Sequence, residues 1–248
     1  MESNSPATIG LDEAYALRTP GDNRRLYAKW AATYESEFVD AKKYRYPKAI
    51  AELFNEVVPP TGFERVVDIG TGTGLVGMYL SALRPQTSFD GIDISPEMLV
   101  EARQKMRISG IPVYANLYER DLTQMVATTN APYDALASSG TFTHGHLGPG
   151  ALSNLIHLVR AGGWFVIGIN NEHFAALDFA KEFEDLAQRG FITKPEIRII
   201  EVYEVGSAHH GDQARVAIFR RDYNIGLEVR DGFTAMESKS EHQDCALE

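Results

Sequence analysis

The sequence predicts an α/β fold: a three-layer sandwich on a seven-stranded, mostly parallel sheet, with a C-terminal antiparallel hairpin and an N-terminal helical cap. Three observations carry this. From Val66 to about Gln188, β-rich stretches alternate with stretches of helical periodicity. A glycine turn joins the first strand to the first helix of that run, in VVDIGTGTGLVG from Val66 to Gly77. Two final β-rich runs, Glu196 to Val205 and Arg215 to Arg220, are linked by Gly206 to Ala214. That linker is too short for a helical crossover, so the pair must be antiparallel.

The elements follow in order. Residues 1–21 are polar, contain Pro6, Pro20 and Gly21, and read as a flexible N-terminus. Residues 22–222 read as one domain, with a helical cap over 22–60. In the cap, Leu26, Trp30, Tyr34 and Phe38 recur every four residues along one helix. A second helix starts with Pro47 at its first position and carries the stripe Ile50, Leu53, Phe54 and Val57, ending at Pro59. A strand at Phe89 to Asp93 precedes a helix with Ser95 as N-cap, Pro96 first and Glu97 against its positive end. Gly110 is expected to stop that helix. A third strand falls near Val113 to Leu117 and a fourth at Tyr133 to Ala137. The helix after it carries Leu152, Leu155, Ile156 and Val159, and closes at Gly162-Gly163. A fifth strand spans Trp164 to Ile169, and one helix follows over Phe174 to Gln188. Residues 223–248 form a tail without pattern.

Bulk properties exclude several classes. A chain of 248 residues is long enough for one large core without staples. Its single cysteine, Cys245, forms no intrachain disulfide and no Cys-based zinc site, which fits a reducing cytoplasm. A net charge of −10 argues against a phosphate-tracking surface. No apolar run approaches membrane-spanning length, and the first ten residues lack a signal-peptide pattern.

The glycine turn admits two cofactors. Gly72-x-Gly74-x-x-Gly77 with Asp93 about twenty residues on fits a dinucleotide fingerprint. Read from Asp68, the same stretch is Asp-x-Gly-x-Gly-x-Gly. Asp93 ends the second strand, where a carboxylate can accept two ribose hydroxyls. Ile94 and Met98 fall where an adenine face needs apolar contact, and both also suit the core. Asp121 follows the third strand and can accept an adenine amino group, with the Leu122 backbone beside it.

Asp68, the glycines, Asp93 and Asp121, in this order, resemble the motifs of class I S-adenosylmethionine (SAM) methyltransferases. The resemblance spans roughly Tyr27 to Arg220. It implies that Asp68, Gly70, Thr71, Gly72 and Gly74 surround the methionine part, with Asp93 on the ribose and Asp121 with Leu122 on the base. It places Ser138 or Ser139 near the amino group or the acceptor, and Tyr27 and Tyr34 near the methionine end. The stretches SGTFTHGHLGPGAL and LYAKWAATYESEF are also similar to methyltransferase-like proteins named for the Williams–Beuren region. The nucleic-acid amine methylases of this class carry an Asp/Asn-Pro-Pro-aromatic quartet after the fourth strand; here Ser138-Ser139-Gly140-Thr141 stands there. With the acidic charge, this points to a small-molecule acceptor and away from nucleic acid.

For the acceptor, aromatic side chains can shelter a sulfonium or an amine. Tyr44 and Tyr46 join Tyr27, Trp30 and Tyr34 as candidates, though helical spacing makes Trp30 a core residue as well. His144 and His146 are candidate bases for a hydroxyl or thiol acceptor, because histidine titrates near neutrality. Thr143, Asn170 and His173 are candidate substrate contacts; loop and cap hydrogen bonding is their plainer role. A metal cluster of His144, His146, His209, His210 and Asp212 lacks ligand spacing, so no metal is assigned. Two alternatives stand beside a methyltransferase: an NAD(P)-dependent oxidoreductase, for which Tyr44 and Lys48 form a Tyr-x-x-x-Lys pair, and a SAM-binding subunit without turnover.

Overall fold

The structure is a computed structural model and describes residues 19–62, 64–124 and 132–223. The N-terminal stretch before Thr19 and all of the tail after Tyr223, Cys245 included, lie outside the described residues.

The elements run α1 (Pro20–Trp30), a π-helix (Tyr34–Asp40), α2 (Tyr46–Val57), β1 (Arg65–Ile69), α3 (Leu75–Leu83), β2 (Ser88–Asp93) and α4 (Pro96–Arg103). They continue with β3 (Tyr114–Glu119), β4 (Tyr133–Phe142), α5 (Ala151–Ile156), β5 (Val159–Asn170), α6 (Asn171–Ala176), α7 (Phe179–Gln188), β6 (Glu196–Glu201) and β7 (Gln213–Arg220). The seven strands form one sheet in the order β3-β2-β1-β4-β5-β7-β6. β1 to β5 are parallel, and β7 runs antiparallel to both β5 and β6. This is the fold class expected from the sequence.

Successive strand residues face opposite sides. Val66, Ala135, Ala137 and Val166 join a core with α2 and α3 on one face. Val67, Leu136, Phe165 and Ile167 join a second core with α5 and α7 on the other. Burial of the central strands β1, β4 and β5 on both faces explains their apolar runs, while the edge strands β3 and β6 stay largely exposed.

The local differences from expectation have physical causes. Pro20 and Gly21 belong to α1, because Thr19 and Asp22 form a capping box that satisfies the first turn. The first of the two expected cap helices is itself two, α1 and the π-helix. A constant four-residue repeat overshoots a 3.6-residue turn by about 40° per step. The chain breaks after Trp30 and widens into the π-helix, which keeps Trp30–Tyr34 and Trp30–Phe38 ring centroids at 5.1 and 5.2 Å. α4 ends at Arg103, and Gly110 (φ 81°) instead serves a turn closed by Arg107 N–H donating to the Ile111 carbonyl. β4 continues beyond Ala137 to Phe142. Val159 pairs with Tyr133 and opens β5, so Gly162 and Gly163 interrupt a strand rather than close a helix. The last predicted helix is split at Asp178, whose φ is 52°.

The cap is held at two ends. An antiparallel bridge joins Tyr44 to Tyr203, with Arg45 N–H donating to the Val202 carbonyl (3.0 Å) and Glu204 N–H to the Lys43 carbonyl (2.9 Å). At the other end, Asn23 Nδ2 donates to the Gly145 carbonyl (2.7 Å) and Arg24 pairs with Glu119 (2.8 Å).

Candidate functional site

Parallel strands point their carboxyl ends the same way, and the sheet order reverses between β1 and β4. A cavity of about 470 Å³ crosses those strand ends, roofed by α1 and the π-helix.

The β1–β3 end is built from main chain and acids. Gly70, Gly72 and Gly74 have φ of 65°, 53° and 91°. A Cβ on Gly70 would overlap the Thr141 side chain, whereas one on Gly72 would meet nothing nearer than the Gly70 carbonyl at 4.0 Å. The Gly72 N–H donates to Asp93 Oδ2 (2.8 Å) and the Ser95 N–H to Oδ1 (2.9 Å). One carboxylate thus ties the glycine turn to the start of α4, and burial pushes it above the usual carboxylate range. Ile94, Met98, Asp121 and Leu122 line the same end. Asp121 Oδ1 accepts from the Thr123 N–H and hydroxyl (2.9 and 2.7 Å), which fixes its rotamer.

The β4–β6 end is aromatic. Trp30, Tyr34, Phe38, Tyr44, Tyr46 and Tyr203 line it, with Tyr44–Tyr203 centroids 5.4 Å apart. Thr143, His146, Asn170 and His173 complete the wall. His146 Nδ1 lies 2.8 Å from the His144 carbonyl oxygen and its Nε2 3.0 Å from Tyr27 Oη. His173 Nε2 lies 2.9 Å from the Leu147 carbonyl oxygen. Burial lowers both histidines below their ordinary value, which favours the neutral ring. Asn170 Oδ1 caps α6, accepting from Glu172 and His173 N–H at 3.0 Å each.

Most of the sequence-derived residues meet at this cavity: Tyr27, Tyr34, Tyr46, Gly70, Thr71, Gly72 and Asp93 all line it. Four do not. Asp68 is 1% exposed and accepts from the Tyr114 hydroxyl (2.6 Å), which in turn accepts from the Gly77 N–H (3.1 Å). Burial pushes the Asp68 carboxyl up to about 7. It therefore braces the turn from behind and is not part of the cavity wall. Gly74 packs on Tyr114 and Ala102, and the Ser138 hydroxyl donates to the Ile69 carbonyl (2.9 Å), leaving Ser139 to face the cavity. The His144 ring packs at a tilt against His173, with centroids 5.3 Å apart, and lies off the cavity wall. Asn23, Leu147 and Tyr203 line the cavity without having been singled out; they come from separate segments and share no local signature, whereas Phe38, also on the wall, continues the four-residue repeat of Trp30 and Tyr34. Lys48 lies off the cavity wall, half exposed beside Glu52 at 4.0 Å, so the Tyr44–Lys48 pair is not assembled as a catalytic unit.

Five buried polar atoms on cavity residues have no protein partner: Asn23 Oδ1, Trp30 Nε1, Tyr46 Oη, Thr73 Oγ1 and Ser139 Oγ. Buried polar groups are normally satisfied, so these atoms leave bonding capacity on the residues that form the wall. Together with an open glycine turn, a strand-end acid and apolar Ile94, Met98 and Leu122, the residues fit an amino-acid-bearing nucleoside. Residues 66–163 match the family model described as a methyltransferase domain. Residues 66–163 form a SAM-dependent methyltransferase domain.

This methyltransferase domain shares 30% identity over 129 residues with the ubiquinone biosynthesis O-methyltransferase of Xylella fastidiosa, covering 52% of this chain and 50% of that one. It shares 30% over 76 residues with the tRNA1(Val) (adenine(37)-N6)-methyltransferase of Parabacteroides distasonis, covering 31% and 32%. The matched stretches span half or less of either curated relative. A solved TehB-like SAM-dependent methyltransferase from Corynebacterium glutamicum superposes with a TM-score of 0.56 at 23% identity, over 80% of this chain and all (100%) of the other. The relatives are named for different acceptors, and the argument from charge against nucleic acid finds no support among them. Among the described residues, no helix is long and apolar enough to cross a membrane, and no three His, Cys, Asp or Glu residues gather as a metal site.

Proposed function

We propose that this protein transfers the SAM methyl group to a small-molecule acceptor by in-line displacement. The supporting observation is the roofed cavity of about 470 Å³. Its size suits small ligands, whose pockets run to roughly 300–1,000 Å³. Bound SAM supplies an electrophilic methyl carbon on a good leaving group, so the protein mainly aligns a nucleophile and excludes water. In this reading Asp93 accepts the ribose hydroxyls and Asp121 with the Leu122 backbone meets the base. Gly70, Thr71, Gly72 and Ser139 surround the amino-acid end, and Ile94 with Met98 packs on the adenine. The aromatic end, with Tyr46, Thr143, Asn170 and His173, receives the acceptor. The cap from Pro20 onward closes over both.

The test combines calorimetry with S-adenosylhomocysteine and transfer from methyl-labelled SAM to a metabolite extract and to bulk transfer RNA. Micromolar binding with label in small molecules supports the proposal. Label confined to the RNA, or no binding at high micromolar ligand, overturns it.

A further inference from the structure

The hydrogen bonds around His146 fix its tautomer. A carbonyl only accepts, so the nitrogen beside the His144 oxygen, Nδ1, carries the proton. Nε2 then holds the lone pair, and the Tyr27 hydroxyl at 3.0 Å donates to it. His146 thus lies behind Tyr27 as a base already engaged. The Asn23 side chain holds the same loop to α1 through the Gly145 carbonyl. The titratable groups facing His146 are Tyr27 from α1 and His173 from α6; His144 of its own loop meets it through the backbone carbonyl. His173 spends its Nε2 proton on the Leu147 carbonyl, so it is tied to the backbone.

We propose that Tyr27 and His146 form a proton relay that deprotonates an aromatic hydroxyl as its oxygen is methylated. This rests on the methyltransferase reading above. The acceptor O–H bond breaks while its oxygen bonds the methyl carbon. The methyl C–S bond breaks, and its electron pair stays on sulfur as a neutral thioether. The acceptor proton passes to Tyr27 Oη as Tyr27's own proton passes to His146 Nε2. The sulfonium's positive charge therefore reappears on the imidazolium, whose Nδ1–H stays bonded to the His144 carbonyl. The imidazolium returns its proton to water on product release.

The relay also selects the acceptor. A histidine whose charged form is disfavoured by burial is a weak base. It suits a phenol, with a pKa near the tyrosine value of about 10, far better than an aliphatic alcohol. The walls agree: Trp30, Phe38 and Tyr203 offer flat apolar faces, and the carboxylates on the cavity wall, Asp93 and Asp121, lie at the opposite end.

Two measurements test this on the full-length chain. The first reads ring nitrogens by ¹⁵N–¹H NMR of histidine-labelled protein. The expected result is an Nδ1–H tautomer at His146 titrating below pH 6.5. An Nε2–H tautomer, or titration above 6.5, overturns the relay whatever becomes of methyl transfer. The second uses labelled SAM with phenol, 1-naphthol and their amino counterparts, aniline and 1-naphthylamine. Transfer to a phenolic oxygen is expected, with a rate falling below the His146 pKa. Tyr27→Phe and His146→Gln should each lower kcat about 100-fold, a general-base effect, and abolish the acid limb. Circular dichroism and a melting temperature close to the unmodified protein's show that the variants fold. Unchanged kcat and pH profile in both variants, a preference for the amines, or no transfer to any phenol overturns the proposal. Failure of the unmodified protein to bind S-adenosylhomocysteine defeats the methyltransferase reading instead, and leaves the tautomer result standing.

Discussion

The two ends of the cavity are built from different materials. At the β1–β3 end, backbone N–H groups, glycines of positive φ and strand-end carboxylates form the wall. At the β4–β6 end, rings from α1, the π-helix, α2 and the residues after β6 form it. Main-chain geometry is set by the sheet and tolerates few substitutions. Side-chain walls can be resurfaced while the sheet stays as it is. One end of such a protein can therefore hold its ligand chemistry constant while the other changes partner.

Gly70→Ala should break this contrast most sharply. The added methyl group drives into Thr141 at a φ of 65°, so the turn must move. Calorimetry should show S-adenosylhomocysteine affinity falling by about 100-fold or more, the scale of a displaced binding group. Gly72→Ala meets open space and should cost only backbone strain, about 1–2 kcal/mol. Equal losses in the two variants would refute a steric origin.

Asp93→Asn comes next. Two backbone N–H groups converge on this carboxylate, and an amide can turn only one oxygen toward them. The expected cost is about 1–3 kcal/mol in stability and roughly tenfold in affinity. Unaltered binding and melting would show that this acid is not the tie between the turn and α4.

Asp68 sharpens the comparison through pH. Its carboxyl is held at about 7 against 3.8 for a free aspartate. Between about pH 4 and pH 7 the folded chain keeps a proton that the unfolded chain has released. Stability therefore falls as pH rises through that window and levels off above it. Asp93 is shifted in the same direction. Urea unfolding from pH 4.5 to 7.5 should show a negative slope of up to about 1.4 kcal/mol per unit from one such group. Asp68→Asn, which still accepts from Tyr114, should flatten the slope; an unchanged slope would locate its source elsewhere.

The smallest effect belongs to the aromatic end. Tyr46→Phe removes a buried hydroxyl that has no protein partner. Stability should hold or rise by about 1 kcal/mol, while the acceptor KM increases. A loss of stability would mean that the hydroxyl is bonded within the protein.

The same contrast governs what the sequence made legible. Glycines at every second position, and acids one strand apart, are local patterns that a parallel sheet turns into a site. That is why Asp93, Asp121 and the glycine turn could be read off the chain. Asp68 was found by the same pattern, yet its position behind the turn depends on Tyr114, 46 residues away along the chain. Tyr203 was invisible because only its pairing with Tyr44 brings it to the cap. The antiparallel terminal hairpin was legible because the β6–β7 linker is too short for a helix. Helix ends were less so: Val159 fits a helical stripe, and only its pairing with Tyr133 shows it to be strand.

The cap's uneven attachment has a consequence for its opening. On the Tyr44 side it is sewn to the sheet by a backbone ladder, while on the α1 side Asn23 and Arg24 fasten it by side chains alone. Side-chain fastenings part more readily than main-chain pairing, so hydrogen exchange should show the hem around Arg24 opening before the Tyr44 seam. That hem borders Ile94, Arg120 and Asp121, so any opening there uncovers the acidic end of the cavity before the ring-lined one.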